Sequence, residues 1–468
     1  MPNPNHAPKS MSQPPSPSPR LSLVSKLAYG VGDLGTAITT NLVSFFLLPF
    51  FTDVAAISPA IAGAILFVGK VWDAINDPII GVLTDKTHTR WGRRRPWLLF
   101  SAIPFGLSFA ALWWIPFPND QNARAIYYFV VAILYNTFFT AVNLPYSALT
   151  PELTQDYDER TSLNNYRFAF SIGGSVVSTV LHLFIVGQFP DNPAVGFLVA
   201  GIIWAVVSTV PIFICFLGTQ EKFHVAQESI PLWQQFSSAF SNIPYLYVIG
   251  IYICAWLALQ ATATVIPYYV RYWVRPENPE AVISFTILGV QGTAFVMLFV
   301  WSRISTLIGK KAVFVWGCSA WIVAQFGLFV LPPQQVVFMY VLAVLAGVGV
   351  ATAYLVPWAM IPDVIDLDEL HTGKRREGIF YGSMVLLQKF ALAGALFGLG
   401  VSLELAGFIP PIDQAPVLAQ PEAVLQVLRF LIAPVPTLLL IGGIVLATLY
   451  PITKEKHAEI LALLATKK

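Results

Sequence analysis

The chain has 468 residues, of which 56% are hydrophobic and 11% charged, with a formal net charge of +2. A soluble domain carries about 25% charged residues, so this composition points to a chain whose solvent is a bilayer. The near-neutral charge excludes a nucleic-acid partner, and Cys215, Cys254 and Cys318 lie far apart in apolar runs without disulfide or metal-ligand spacing.

The chain opens on a stretch rich in Pro, Ser and Asn that cannot bury an apolar face, and residues 1–22 read as a disordered cytoplasmic tail. The apolar run that follows is too long for a signal peptide and is broken by Gly30, Gly32, Asp33 and Gly35. From there the pattern predicts an all-α membrane protein with twelve transmembrane helices. They fall at about 27–51, 58–83, 96–117, 124–149, 164–188, 195–217, 242–273, 280–307, 311–331, 335–362, 378–404 and 424–450. Each is near or above the roughly 20 residues that cross a hydrocarbon core. The polar stretch 218–241 divides them into two six-helix bundles, 23–217 and 242–451, with a cytoplasmic tail at 452–468.

Helix 1 carries Asp33, which suits either a gate or a cavity. Helix 2 contains Trp72-Asp73-Ala74-Ile75-Asn76-Asp77-Pro78, two acids one turn apart at membrane depth. An ionisable group there costs a few kcal/mol and is a functional-site hypothesis by default. Lys70, Asp73 and Asp77 fall on one helical face. Two acids and a base on one face suit a monovalent cation held by hard oxygen ligands. The bland alternative is an internal Lys–Asp bridge that only packs helix 2, but such buried pairs are weak stabilisers and leave the second acid unexplained.

Helix 4 offers Thr140 and Asn143 ahead of Pro145, which frees an upstream carbonyl. Thr and Asn in membrane helices are more often interhelical hydrogen-bonding groups than ligands. Helix 5 opens with Arg167, which needs an acid or a polar cavity, and carries His182, read as a packed histidine. Lys389 lies too deep in helix 11 to snorkel easily, which favours an inward-facing role. Glu404 is expected to end helix 11 at the external surface.

Loops between helices 2–3, 8–9 and 10–11 carry Lys86, Arg90, Arg93, Arg94, Arg95, then Arg303, Lys310, Lys311, then Lys374, Arg375, Arg376; the opposite loops hold Arg124, Arg271 and Arg275. This bias places both termini in the cytoplasm of a plasma (inner) membrane protein.

Four segments in order, Lys26 to Gly30, Trp72 to Pro78, Asp85 to Trp97, and Asp363 with Asp366 followed by Gly373 to Gly378, resemble one group of transporters. The chain is similar, from Lys26 to about Ile460, to the glycoside–pentoside–hexuronide:cation symporters of the major facilitator superfamily, whose best-known member is melibiose permease. The resemblance implies Asp73 and Asp77 as cation ligands assisted by Asn76 and Thr140. It implies Lys70, Asn143, Arg167, Tyr354 and Lys389 around the solute cavity. Asp85, Arg93, Arg94, Arg95, Asp363, Asp366, Arg375 and Arg376 become gating residues of the cytoplasmic loops. Gly309-Lys310-Lys311 looks like a weaker echo of the loop 2–3 motif. Ala37, Asn143 and Ser147 stand where melibiose permease has acids and a tryptophan, so its cargo recognition is not expected here.

The expectation is a monomeric, non-enzymatic symporter without cofactor that couples Na+ or H+ entry to uptake of a sugar or glycoside by alternating access. The alternatives are a cation-coupled lysophospholipid symporter, distinguished by a cavity open to lipid between helices 5 and 8, and a non-transporting sensor or assembly protein of the same fold.

Overall fold

The computed structural model describes residues 21–223, 240–410 and 419–467. The predicted tail before Leu21 and most of the central loop lie outside the described residues. Fourteen α-helices are found among those described. They are α1 (Leu23–Leu42), α2 (Pro59–Lys86), α3 (Arg95–Ala111), α4 (Gln121–Leu153), α5 (Tyr157–Val186), α6 (Pro193–Gly218), α7 (Ile243–Tyr268), α8 (Pro279–Ile308), α9 (Lys310–Val330), α10 (Val336–Thr372), α11 (Glu377–Leu405), α12 (Glu422–Ile432), α13 (Pro434–Leu449) and α14 (Lys454–Lys467).

All twelve predicted spans are helical. Nine segments among the described residues are long and apolar enough to cross a membrane by length and composition. The difference lies in the first three helices. α1 is ordinary helix for 20 residues before it passes into π-helical turns at Val43–Leu47 and Phe50–Val54. α2 carries Lys70, Asp73, Asp77, Asp85 and Lys86, and α3 is only 17 residues long. The last span is made of α12 and α13, broken at Ala433 just before Pro434. Predicted ends shift where polar residues continue a helix: α5 begins at Tyr157, and α10 runs on to Thr372.

α7 also ends in a π-helical turn, Tyr269–Val274. Pro267 lies just before it, as Pro49 lies just before Phe50–Val54. A proline removes one ladder donor, and widened turns of this kind recur at functional sites.

In the first half α1 packs on α5 and α6, and α4 on α2 and α3; in the second α10 packs on α8 and α9, and α7 on α13. The halves meet along two seams, α2 with α11 and α5 with α8. One hydrophobic core unites both halves around Phe50, Trp113, Tyr128, Tyr268, Tyr272 and Phe408. A second core, with Tyr245, Tyr252, Phe314 and Phe380, contains second-half residues alone. The shared core runs along the first half, and its second-half members lie at the end opposite the termini, here called the far face. The end with the arginine-rich loops, the basic face, has no such common core among the described residues.

The α2–α11 seam closes on glycine. A Cβ on Gly400 would stand 2.3 Å from the Pro59 carbonyl oxygen and 3.1 Å from the Gly63 Cα. Both obstacles are backbone, so Gly400→Ala should prise the seam apart at a cost of about 1–3 kcal/mol. The expected result is faster labelling of a cysteine placed at Ala60 by an impermeant thiol reagent; an unchanged rate would refute it.

Candidate functional site: a cross-bundle charge cluster

Asp73 and Asp77 project from α2 toward α4 and α11. The Thr140 hydroxyl on α4 lies 3.0 Å from Oδ1 of Asp73 and 3.2 Å from Oδ1 of Asp77. The other oxygens face the second half: Lys389 Nζ on α11 is 3.0 Å from Asp73 Oδ2 and 2.6 Å from Asp77 Oδ2. Lys70 Nζ stands 3.9 Å from Asp73 Oδ2, on the predicted common face. Two carboxylates and two ammonium groups therefore face one another, with the Lys389 ammonium between the Oδ2 atoms of the two acids.

The two acids are not equivalent. The Asp73 side chain is 2% exposed and that of Asp77 29%, so an ion arriving through water meets Asp77 first. Asp73 Oδ1, Asp77 Oδ1 and Thr140 Oγ1 form a cluster of hard oxygen donors, the kind that suits an alkali cation. Asn76 is buried, but its amide points to the Thr137 carbonyl at 3.5 Å. It braces α2 on α4 and does not join the acids.

A second pair settles the place of Asp33. Arg167 Nε is 3.1 Å from Asp33 Oδ2, and the guanidinium lies over the Tyr146 ring at 5.3 Å. Tyr146 in turn stacks on Tyr29 at 5.0 Å. Asp33 thus anchors the base expected on α5, within the first half. Asn143 is half-buried one turn beyond Thr140. Tyr354 on α10 donates to Gln291 Oε1 at 3.4 Å and meets the Trp256 ring edge-on at 6.2 Å. Gln291 and Trp256 were not anticipated; an amide inside the apolar α8 was the available signal. His182 is fully buried against Phe46, Trp113 and Phe197, as a packed histidine should be. Glu404 is exposed near the end of α11, where it accepts from the Ala60 amide at 3.3 Å.

The loop residues gather around acids that the sequence reading passed over. Glu152, on α4, accepts from Arg93 at 2.5 Å and pairs with Arg94 at 3.4 Å, while Arg94 also holds Asp85 at 2.5 Å. Among the described residues the Arg95 guanidinium pairs with no carboxylate; it donates to the Phe216 carbonyl at 2.6 Å. The Glu221 carboxylate accepts the backbone N–H groups of Arg93, Arg94 and Arg95 at 2.7, 2.8 and 2.9 Å. An anion on the free amides that start α3 offsets the helix dipole. Gly92 (φ +105°) brings the loop so close that any Cβ would meet that carboxylate.

In the second half Asp363 and Asp366 sit on the last turns of α10 and not in the loop after it, because α10 continues past Pro362. Lys310 reaches Asp363 at 2.7 Å, Arg375 reaches Asp366 at 2.9 Å, and Arg376 pairs with Asp368 at 2.6 Å. His457 of α14 contacts Asp366 at 3.0 Å. Hydrogen bonds to Glu377, then Glu369 and Asp366, raise the Arg375 guanidinium above its ordinary value and keep it charged. These pairs each join residues of one half.

The far face is different. Arg271, in the π turn after α7, lies 3.0 Å from Asp53, in the π turn after α1, and 3.4 Å from Glu280. Thr52 and Tyr268 share a hydrogen bond of 2.7 Å beside it. This buried polar junction ties the two halves together. Sequence alone gave no sign that residues so far apart would meet.

Residues 28–454 match the model of a family described as MFS/sugar transport protein. The chain belongs to this family of the major facilitator superfamily. An uncharacterized symporter of Synechocystis sp. is 43% identical, covering 94% of this chain and 96% of its own. The sodium-dependent lysophosphatidylcholine symporter 1 of Mus musculus is 30% identical, covering 97% of this chain and 90% of its own. Among solved structures, a bacterial homologue of the iron transporter ferroportin, in an inward-facing state, superposes with a TM-score of 0.67 at 15% identity, over 92% of this chain and 99% of that one. At that identity the likeness is one of fold: the chain is a multi-pass membrane protein with the superfamily's architecture, and its family and neighbours are transporters.

Proposed function

We propose that this chain is a secondary active symporter that couples Na+ entry to uptake of a sugar or glycoside, in the glycoside–pentoside–hexuronide:cation branch of its family. The observation that carries the reading is the ammonium of Lys389 held between Asp73 and Asp77. An acid pair bridged by a base from the opposite half can exchange that base for a cation, and the exchange changes how the halves interact. The basic face is taken as cytoplasmic, with bundles at 23–217 and 242–451, so the shared core and the Asp53–Arg271 pair join the halves on the outer side.

The cycle follows from these contacts. In the outward-facing state Na+ enters past Asp77, binds between the two carboxylates where the Lys389 ammonium sits, and displaces Lys389. The freed ammonium turns to the cavity, where it and Arg167 present donors to the hydroxyls of a solute seated by Tyr354 and Trp256. Cation and solute thereby raise each other's affinity by one common factor. Rocking of one half against the other then releases both into the cytoplasm. A proton on Asp77 would serve the same exchange.

Asp77→Asn should remove Na+-stimulated accumulation in proteoliposomes while insertion and folding persist. Coupled uptake at the wild-type level in this variant and in Asp73→Asn would sink the reading. A second cargo, a lysophospholipid, is favoured by the Mus musculus relative. Against it, both seams between the halves are packed, including α5 with α8, where an acyl chain would have to leave. Lysophosphatidylcholine flux without flux of any sugar would decide for the amphiphile.

A further inference from the structure

One group of aromatic side chains extends beyond the site described above. Tyr252 and Trp256 lie one turn apart on α7, and Tyr354 and Trp358 one turn apart on α10. They pair level by level, Trp256 with Tyr354 at 6.2 Å and Tyr252 with Trp358 at 6.0 Å, both edge-on. Trp358 then stacks on Tyr381 of α11 at 5.9 Å, with 20° between the planes. α7 packs against both α10 and α11, and Tyr252, itself buried in the second-half core, backs this stack. The order runs from Trp256 and Tyr354 toward the basic face, along the core that contains second-half residues alone.

The lowest level is open. Trp358 is 40% exposed, and it is the one exposed side chain on α10 between Ala351 and Leu370. Beside Tyr381, Gly378 and Gly382 have no atom within 4 Å of where a Cβ would stand. The first half supplies the contrast through a similar order of residues, one residue longer: Pro145-Tyr146 then Pro151-Glu152 on α4, against Pro357-Trp358 then Pro362-Asp363 on α10. Tyr146 is 1% exposed, filled in by Tyr29 and Arg167. Its counterpart Trp358 stays 40% exposed.

We infer that Trp358 and Tyr381 form a second solute subsite at the cytoplasmic mouth of the vestibule, which takes the C–H face of a pyranose ring leaving the deep site beside Tyr354. A pyranose presents axial C–H groups on one face and hydroxyls at its rim. It therefore lies flat on an aromatic surface while the rim stays hydrated. Two platforms one helical turn apart, about 5.4 Å, let the ring pass to the second before contact with the first is lost. The subsite rests on the sugar reading given above.

The test is exchange of the labelled methyl glycosides of glucose, galactose and xylose in oriented proteoliposomes at saturating Na+, with the solute varied on one face while the other face is held saturating. Trp358→Ala and Tyr381→Ala should each raise the apparent KM on the cytoplasmic side roughly three- to tenfold, the range of one aromatic contact, and leave the external KM unchanged. Trp358→Phe, which keeps a ring and most of the packing, should stay close to wild type and separate stacking from misfolding. Unchanged KM on both sides in the alanine variants, or an equal rise on both sides, overturns the subsite. Wild-type protein that exchanges none of the glycosides overturns the sugar reading and the subsite together, a result visible before any variant is made.

Discussion

Lys389→Ala should turn a protein that folds without sodium into one that needs it. In the native chain the Lys389 ammonium neutralises Asp73 and Asp77 from the opposite half. Removing one partner of a buried pair costs about 3–5 kcal/mol, because the remaining charge stays desolvated. Na+ can take the vacated place between the carboxylates, and binding to the folded form alone restores stability as its concentration rises. Thermal melting of the purified variant should therefore fall well below wild type in a sodium-free buffer and recover steeply with added NaCl, with choline chloride as the control. Wild-type protein, whose ammonium competes for the same oxygens, should respond weakly. Equal salt responses in the two proteins would exclude Lys389 as the competitor. The variant should also lose accumulation, since the cation no longer has a base to release.

The second large effect is expected at the far face. Asp53 and Arg271 have side chains 6% and 11% exposed and hold the two halves together there. Arg271→Ala leaves Asp53 buried without its partner, and Asp53→Ala leaves Arg271 with Glu280 alone. Each single change should destabilise the closed far face by about 3–5 kcal/mol, enough to move a two-state equilibrium by roughly a hundredfold or more. The double variant Asp53→Ala/Arg271→Ala removes both charges and should fall closer to wild type than either single variant. Distances between spin labels on Trp114, just past the end of α3, and Phe338, in the first turn of α10, would report the change. Singles that lengthen this distance no more than the double would refute the latch.

Much of the architecture was legible because its signals are local. Twelve apolar runs, the loop arginines and the Asp73/Asp77 spacing can all be read from residues within a few turns of one another. The partners of those residues were harder to see. That Lys389 would reach Asp77 rather than the cavity depends on how α2 meets α11, a seam set by Gly63 and Gly400 rather than by any charged motif. Glu152 and Glu221 look like ordinary helix-end acids in the sequence, yet they organise Arg93 to Arg95. The Asp53–Arg271 pair was invisible for the same reason: each residue sits in a π turn whose widening follows from a nearby proline and from tertiary packing. Asn76 was legible as a polar residue in the right place, but which neighbour its amide would choose was not.

The balance of charge around Asp73 and Asp77 bears on voltage. With Lys70 and Lys389 opposite the two acids, the empty cluster sums to zero, so the unloaded carrier can reorient without moving net charge through the field. Adding one Na+ and a neutral sugar leaves one positive charge on the loaded form. A membrane potential, negative inside, would then drive the loaded step alone, by about 2.3 kcal/mol for each 100 mV if that charge crosses the whole field. Solute entry should accordingly carry an inward current of one charge per molecule. The return of the empty carrier should be electrically silent.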